Sequence, residues 1–126
     1  MRGTLTSSEA QIQQAILQWG AWQDGVQMWR INVIGVPLKD GGYRPSPNPG
    51  MADIHLTVQL FGIPVSAWLE VKSNRGRQST PQKEFEKTVK RQGGYYFIVR
   101  SIEDVMEGIQ QMKEEIWKTI STTIPF

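Results

Sequence analysis

The sequence predicts a single α/β domain, residues 1–126, in which helices flank a mixed β-sheet. Three observations predict it. The length suits one hydrophobic core, helical and strand-like periodicities follow each other in the order α-β-β-β-α-β-α, and the two middle strands alternate apolar and polar residues, as strands with one buried face do. The sequence contains no internal repeat.

Thr6 and Glu9 have the spacing of a capping box, which predicts the start of the first helix. Its apolar residues then recur at helical intervals: Ile12, Ile16 and Trp19. Asp24-Gly25 ends the helix, and residues 26–33 are β-prone, which predicts a strand. Residues 35–50 hold four glycines and four prolines, which predicts a long irregular loop.

Two alternating strands follow, and a turn at Gly62-Ile63 would join them into a hairpin. One face of this hairpin is apolar: Ala52, Ile54, Leu56, Val58 and Leu60, then Val65, Ala67, Leu69 and Val71. The other face carries Asp53, Glu70 and Lys72. That turn predicts Asp53 opposite Lys72 and diagonal to Glu70, with Cβ atoms about 7 Å apart. A slip by one residue would bury Asp53 or Glu70, so the alternation supports this assignment of faces.

The remaining elements have clear boundaries. Thr80 is the predicted cap of the second helix, with Pro81 at its first position, and Gly93-Gly94 ends it. Residues 95–100 predict an aromatic strand, and Ser101 caps a final helix. The apolar stripe of that helix is Ile102, Val105, Ile109, Met112, Ile116 and Ile120.

Composition excludes several kinds of site. The chain has no cysteine and a single histidine, His55, which excludes disulfides, a thiol nucleophile and a multi-histidine metal site. A metal would have to be held by carboxylates, which favours a hard cation. No apolar stretch is long enough to span a membrane, and the N-terminus lacks the apolar region of a signal peptide. We therefore expect a cytoplasmic protein with no membrane contact.

Charge is distributed unevenly around a net of +2. Residues 72–100 hold eight basic and two acidic side chains, a net of +6, whereas residues 101–126 hold five acidic and two basic ones, a net of −3. This asymmetry suits an anionic partner on one side of the fold. A solvated helix face is the commoner reason for such a run, and both interpretations stay open.

The shared polar face of the hairpin fits two interpretations. Asp53 and Glu70 would hold Mg²⁺ or Mn²⁺ beside Lys72, for water attack on a phosphate, or the three would form an exposed salt bridge that contributes little to stability. Gln82 lies on the core-facing stripe of the second helix, so it either contacts this site or caps its helix. Glu9 is either a third carboxylate or a capping residue.

Three motifs occur in order: Gly50-Met51-Ala52-Asp53-Ile54, Glu70-Val71-Lys72 and Gln78-Ser79-Thr80-Pro81-Gln82. Together they resemble the core of the PD-(D/E)XK nucleases, and more closely the VRR-NUC branch in its stand-alone phage and bacterial form. Residues 96–101 resemble the strand that bears the Val-Arg-Arg signature. The sequence departs from the pattern where Ala52 replaces a proline and Ser101 replaces the second arginine.

The resemblance implies a restriction-endonuclease-like fold and Mg²⁺ or Mn²⁺ as cofactor, without an organic one. It implies Asp53, Glu70 and the Val71 carbonyl as metal ligands and Lys72 as the catalytic lysine. Glu9 would be the acid of the first helix, binding the metal directly or through water, and Gln82 the active-site glutamine. The basic residues expected to contact DNA phosphates are Arg75, Arg77, Lys83 and Arg100.

The resulting hypothesis is a structure-selective endonuclease for branched DNA, foremost four-way (Holliday) junctions, in a bacterial or phage-infected cell. Relatives of this type resemble Holliday-junction resolvases, which work as dimers. Five tryptophans are more than one small core easily buries, so they favour a homodimer or an aromatic-rich core equally. The alternatives are a non-cleaving DNA-binding module of the same fold, a flap nuclease or exonuclease, and a small protein-interaction domain.

Overall fold

The computed structural model describes residues 8–31, 36–44 and 49–123. Its helices are α1 (Glu9–Ala21), α2 (Thr80–Arg91) and α3 (Ile102–Thr123). Its strands are β1 (Val26–Arg30), β2 (Val36–Pro37), β3 (Tyr43–Arg44), β4 (Ile54–Leu60), β5 (Ile63–Val71) and β6 (Tyr95–Val99). The main sheet has the order β1-β4-β5-β6, with β6 parallel to β5 and the other neighbours antiparallel. The predicted mixed α/β fold is confirmed.

The apolar face of the sheet forms the core with α1 and α3. The largest fully buried apolar side chains come from every layer: Ile16, Ile54, Leu56, Leu69, Val71, Val99, Val105 and Met112. Helix α2 lies on the opposite face, where the ring of Phe85 packs against Trp68 and Tyr96 with centroids 5.2 and 6.1 Å away. The polar face of the hairpin is therefore partly covered by a helix.

The hairpin turn lies one residue earlier than predicted. Phe61 and Gly62 both have positive φ, 54° and 77°, and Leu60 pairs with Ile63. Positive φ at both central positions is the pattern of a type I′ hairpin turn, and Gly62 adopts it without strain at the second position. The predicted turn at Gly62-Ile63 is therefore wrong.

This correction moves the pairing by two residues and so preserves the faces of both strands. Ile54 pairs with Leu69, and the Asp53 amide donates to the Leu69 carbonyl at 3.1 Å. If the pairing of β4 with β5 is extended by one residue beyond Ile54 and Leu69, Asp53 lies directly across from Glu70 rather than diagonal to it. Lys72 is not the partner of Asp53.

The capping residues of α1 and α2 differ from the predicted ones, by two residues in α1 and by one residue in α2. The hydroxyl of Ser8 accepts from the Gln11 amide, and the Gln11 side chain accepts from the Ser8 amide, so the capping box of α1 is Ser8 with Gln11. Thr6 lies outside the described residues, and Glu9 is the first helical residue instead of the capping acid. Ser79, not Thr80, caps α2, since its hydroxyl accepts from the Gln82 amide.

The predicted loop of residues 35–50 contains a short ribbon. Strands β2 and β3 pair antiparallel, and the Leu38 amide donates to the Gly42 carbonyl at 2.7 Å between them. Residues 32–35 and 45–48 lie outside the described residues, including the end of the first predicted strand. Of the helices in the described ranges, none combines the length and the apolar character that a membrane span requires.

Candidate active site

The ends of β4 and β5 bring the predicted acidic pair and the lysine together. Asp53 immediately precedes β4, Glu70 is the penultimate residue of β5, and Lys72 follows that strand. Glu70 is fully buried and Lys72 is 7% exposed, because α2 and the segment 73–79 cover this face. The alternative of an exposed surface salt bridge is therefore wrong.

Asp53 is anchored to the neighbouring strand. Its Oδ2 accepts a hydrogen bond from the Val71 amide at 2.7 Å. Burial raises the pKa of Asp53 and the negative charge of Glu9 adds to this, while the Val71 amide and the charge of Lys72 oppose it. The carboxylate is thus fixed in place, and its burial disfavours the ionised form.

The two oxygens of Glu70 differ in their surroundings. Oε1 accepts from the Gln78 amide at 3.4 Å, whereas Oε2 makes no hydrogen bond to any residue in the described part of the chain. The nearest cation to Oε2 is Lys72 Nζ at 3.5 Å. Burial raises the pKa of Glu70, and the hydrogen bond from Gln78 and the charge of Lys72 only partly oppose it. A buried carboxylate oxygen whose partner is a single ammonium group at 3.5 Å is incompletely satisfied, so this site fits an additional cation.

A metal site here would be built mainly from oxygen atoms of two strands. Across residues 8–31, 36–44 and 49–123, no three side chains of the Asp, Glu, His or Cys type converge closely enough to hold a metal ion. The side-chain donors that the structure brings together here are the carboxylates of Asp53 and Glu70. Mg²⁺ commonly binds one or two carboxylates and keeps several waters, so this donor set suits it.

Glu9 lies at the rim of the same site. As the first residue of α1 it is exposed, and its Oε2 is 2.9 Å from the position that a Cβ atom on Gly76 would occupy. Its negative charge contributes to the raised pKa of Asp53. Because Ser8 and Gln11 cap the helix, the Glu9 carboxylate is available to this site and not engaged in the cap.

Gln82 satisfies both roles that the sequence left open. Its Oε1 accepts from the Ser79 amide at 2.8 Å, which completes the capping box of α2. The same oxygen accepts from Lys72 Nζ at 2.9 Å. The start of α2 therefore orients the lysine through one shared oxygen atom.

Gly50 allows α2 to reach the site. It has φ +84°, and a Cβ atom on it would lie 2.3 Å from the Pro81 carbonyl oxygen and 2.9 Å from the Gln82 nitrogen. No side chain fits in that space. The glycine before Asp53 thus lets the first turn of α2 approach, and Gln82 comes within reach of Lys72.

We expect Gly50→Ala to disrupt this approach. The clash with Pro81 displaces the first turn of α2, so the free energy of unfolding falls by about 1–3 kcal/mol more than positive φ alone explains. Gly93→Ala is the matched control, since Gly93 has φ +82° with nothing within 4 Å of its Cβ position. Urea unfolding measures both variants. Equal losses for the two would show that the contact with α2 does not matter.

The predicted phosphate-binding arginines lie together beside the site. Arg75, Arg77 and Arg100 line a cavity of about 620 Å³ with Asn74 and Gly76. Arg100 Nη1 also donates to the Ser73 carbonyl, and to the Gly76 carbonyl at 3.2 Å. Arg100 therefore holds the segment 73–76 in place. Lys83 is exposed on α2.

A comparison with solved structures identifies the fold. A structure described as a VRR_NUC domain protein matches with a TM-score of 0.57, covering 88% of this chain and 89% of that chain at 18% identity. This chain has a VRR-NUC fold. No family model matches the sequence, and no curated protein matches it. At this identity the likeness extends to the fold, and the residue roles rest on the geometry above.

Within this VRR-NUC fold, sequence reasoning missed Gln78. The residue occurred only as part of a motif, yet its amide nitrogen contacts Glu70, Glu86 and the hydroxyl of Tyr96. Its position directly before the cap of α2 was the only signal, since no periodicity points to it. His55 packs against Trp68, with the ring centroids 4.7 Å apart.

Proposed function

We propose that this protein is a metal-dependent endonuclease that hydrolyses phosphodiester bonds in DNA. The observation that carries the proposal is the buried Glu70 carboxylate, which lies across from Asp53 and beside Lys72, and whose Oε2 makes no hydrogen bond to a described residue. A VRR-NUC fold around these residues supports it. Two carboxylates with raised pKa values favour the binding of a divalent cation, because such a cation offsets their burial.

In this proposal, Asp53, Glu70 and the Val71 carbonyl hold Mg²⁺ or Mn²⁺, and Glu9 contributes directly or through water. When bound, the cation would polarise the phosphoryl oxygen and lower the pKa of the attacking water. Lys72, held by Gln82, orients that water and offsets the charge that develops on the phosphate. Gln82 thereby keeps the ammonium group at a set position.

The exposed basic residues beside the site suit the DNA backbone. We expect Arg75→Ala and Arg77→Ala each to weaken DNA binding regardless of sequence and to reduce the slope of log Kd against log salt by about 1. Fluorescence anisotropy between roughly 50 and 200 mM salt measures this slope. Lys118→Ala, in the acidic C-terminal part of the chain, is the control. An unchanged slope in both arginine variants would remove them from the interface.

We further propose that the substrate is branched DNA, foremost a four-way junction, cut by a homodimer in the cytoplasm of a bacterial or phage-infected cell. Two symmetric cuts require two active sites. Three tryptophans have much of their surface exposed, namely Trp22 at 86%, Trp29 at 52% and Trp117 at 54%. Exposed aromatic side chains of this size are enriched in protein interfaces.

The test is a cleavage panel with Mg²⁺, Mn²⁺ or EDTA on a four-way junction, a flap, a nicked duplex and a linear duplex. Asp53→Asn controls for contaminating nuclease. We expect metal-dependent cutting of the junction by the parent protein, no cutting by the variant, and a solution mass of twice 14.3 kDa. Salt-sensitive binding without cutting would indicate a DNA-binding module, and preferred cutting of the flap would overturn the junction assignment.

A further inference from the structure

Gln78 joins three side chains beneath α2. Its amide nitrogen lies 2.9 Å from Glu86 Oε1, 3.2 Å from the Tyr96 hydroxyl oxygen and 3.4 Å from Glu70 Oε1. All three contacts are partly buried, and the proposed mechanism uses none of them. An amide nitrogen has two hydrogens to donate, so three acceptors on different elements of the fold share them, and the contact with Glu70 is the longest of the three.

The partners of Gln78 are themselves held in place. Glu86 Oε2 lies 2.6 Å from Lys90 Nζ, one turn further along α2. Burial raises the pKa of Glu86, but hydrogen bonds from Lys90 and Gln78 and the charge of Lys90 outweigh it and hold the pKa below its ordinary value. Tyr96 is 5% exposed on β6. Glu86 on α2 and Tyr96 on β6 thus hold the Gln78 amide while it contacts Glu70 on β5.

These contacts distinguish the two oxygens of Glu70. Oε1 is engaged by Gln78, and Oε2 has Lys72 as its nearest cation at 3.5 Å and no hydrogen bond within the described ranges. We propose that Gln78 is a positioning residue that fixes the Glu70 carboxylate so that Oε2 faces a bound Mg²⁺ or Mn²⁺. This inference rests on the proposed metal-dependent function.

A neutral donor suits this role better than a charged one. A lysine or arginine at position 78 would also hold Glu70, but its positive charge would repel the cation that the carboxylate is to bind. An amide restricts the carboxylate without neutralising it. Partners that orient metal ligands in this way typically change metal affinity by about 10–100-fold when they are removed.

The test measures Mn²⁺ binding to the full-length protein without DNA, by isothermal titration calorimetry. Gln78→Met keeps the length of the side chain and removes the amide. Gln78→Ala leaves room for water and serves if the methionine variant folds poorly. Gln110→Met is the control, because it removes an amide that donates to Glu114 on the exposed face of α3.

We expect Gln78→Met and Gln78→Ala to weaken Mn²⁺ binding by about 10-fold or more, and Gln110→Met to leave it unchanged. Cleavage of junction DNA should fall at limiting Mn²⁺ and recover at saturating Mn²⁺, which a merely structural defect would not do. Unchanged Mn²⁺ affinity in both Gln78 variants would overturn the inference while the nuclease proposal stands. Mn²⁺ binding that depends on Gln78 in a parent protein that cuts no DNA would support the inference and contradict the nuclease.

Discussion

Glu70→Gln is expected to reduce DNA cleavage by at least about 10³-fold, because it removes a negative charge from a proposed metal ligand. DNA binding in EDTA should change little, since the proposed phosphate contacts come from the basic side chains outside the carboxylate pair. Single-turnover cleavage and anisotropy measure the two effects. Glu84→Gln, which changes an exposed glutamate on α2, is the control and should cleave normally.

The same variant is expected to be at least as stable as the parent protein in EDTA at neutral pH, because Lys72 keeps its hydrogen bond to Gln82 Oε1 at 2.9 Å when its charge partner is removed. Burial raises the folded-state pKa of Glu70 above its ordinary 4.5, so the folded protein binds the proton more tightly than the unfolded chain does. The ionised carboxylate therefore lowers stability as the pH rises from 4.5 through the folded-state pKa. Glutamine avoids that loss, and its advantage should vanish at pH values below 4.5. Cleavage by the variant near the parent rate would refute the role of Glu70.

Lys72→Met should both abolish cleavage and destabilise the fold. Its Nζ is the nearest cation to Glu70 Oε2, and the side chains of the pair are 9% and 0% exposed. Removing one partner of a buried ion pair leaves the other uncompensated, which typically costs about 3–5 kcal/mol. We expect a loss near the lower end of that range, because Gln78 still donates to Glu70.

A double-mutant cycle separates this effect from packing. Glu70→Gln with Lys72→Met should recover most of the lost stability, because neither buried charge remains, and should stay inactive. Lys87→Met is the matched control: Lys87 and Glu84 are 3.4 Å apart, close to the 3.5 Å of the buried pair, but their side chains are 69% and 65% exposed. This pair should contribute less than about 1 kcal/mol. Additive effects of Glu70→Gln and Lys72→Met would show that the buried pair is not coupled.

The hairpin illustrates how far sequence patterns reach. Alternation placed Asp53, Glu70 and Lys72 on one face correctly. Side chains along a strand alternate between the two faces, so moving the pairing by two residues leaves each side chain on the same face. The turn lies one residue earlier than predicted, because glycine suits either central position of a two-residue hairpin turn and here occupies the second. The error moved the partner of Asp53 from Lys72 to Glu70, which brought the two carboxylates closer than predicted.

Glu9 and Gln82 illustrate alternatives that local patterns leave open. The spacing of Thr6 and Glu9 matched a capping box, but Ser8 with Gln11 matches equally well and forms it. For Gln82, capping and contact with the site were set against each other, whereas one oxygen atom performs both. Neither outcome follows from a motif, since each depends on which segments pack together.

By itself, the sequence determined the mixed α/β fold, the face on which the hairpin residues lie, and that Asp53, Glu70, Lys72 and Gln82 meet at the candidate site. These features follow from local periodicity, turn and cap chemistry, and motif order. Only the tertiary structure decided that Glu70 is buried, that its two oxygens have different partners, and that Gln78 contacts it from the segment before α2. Burial and hydrogen-bond pairing arise where α2 packs on the sheet, and no short stretch of sequence contains that information.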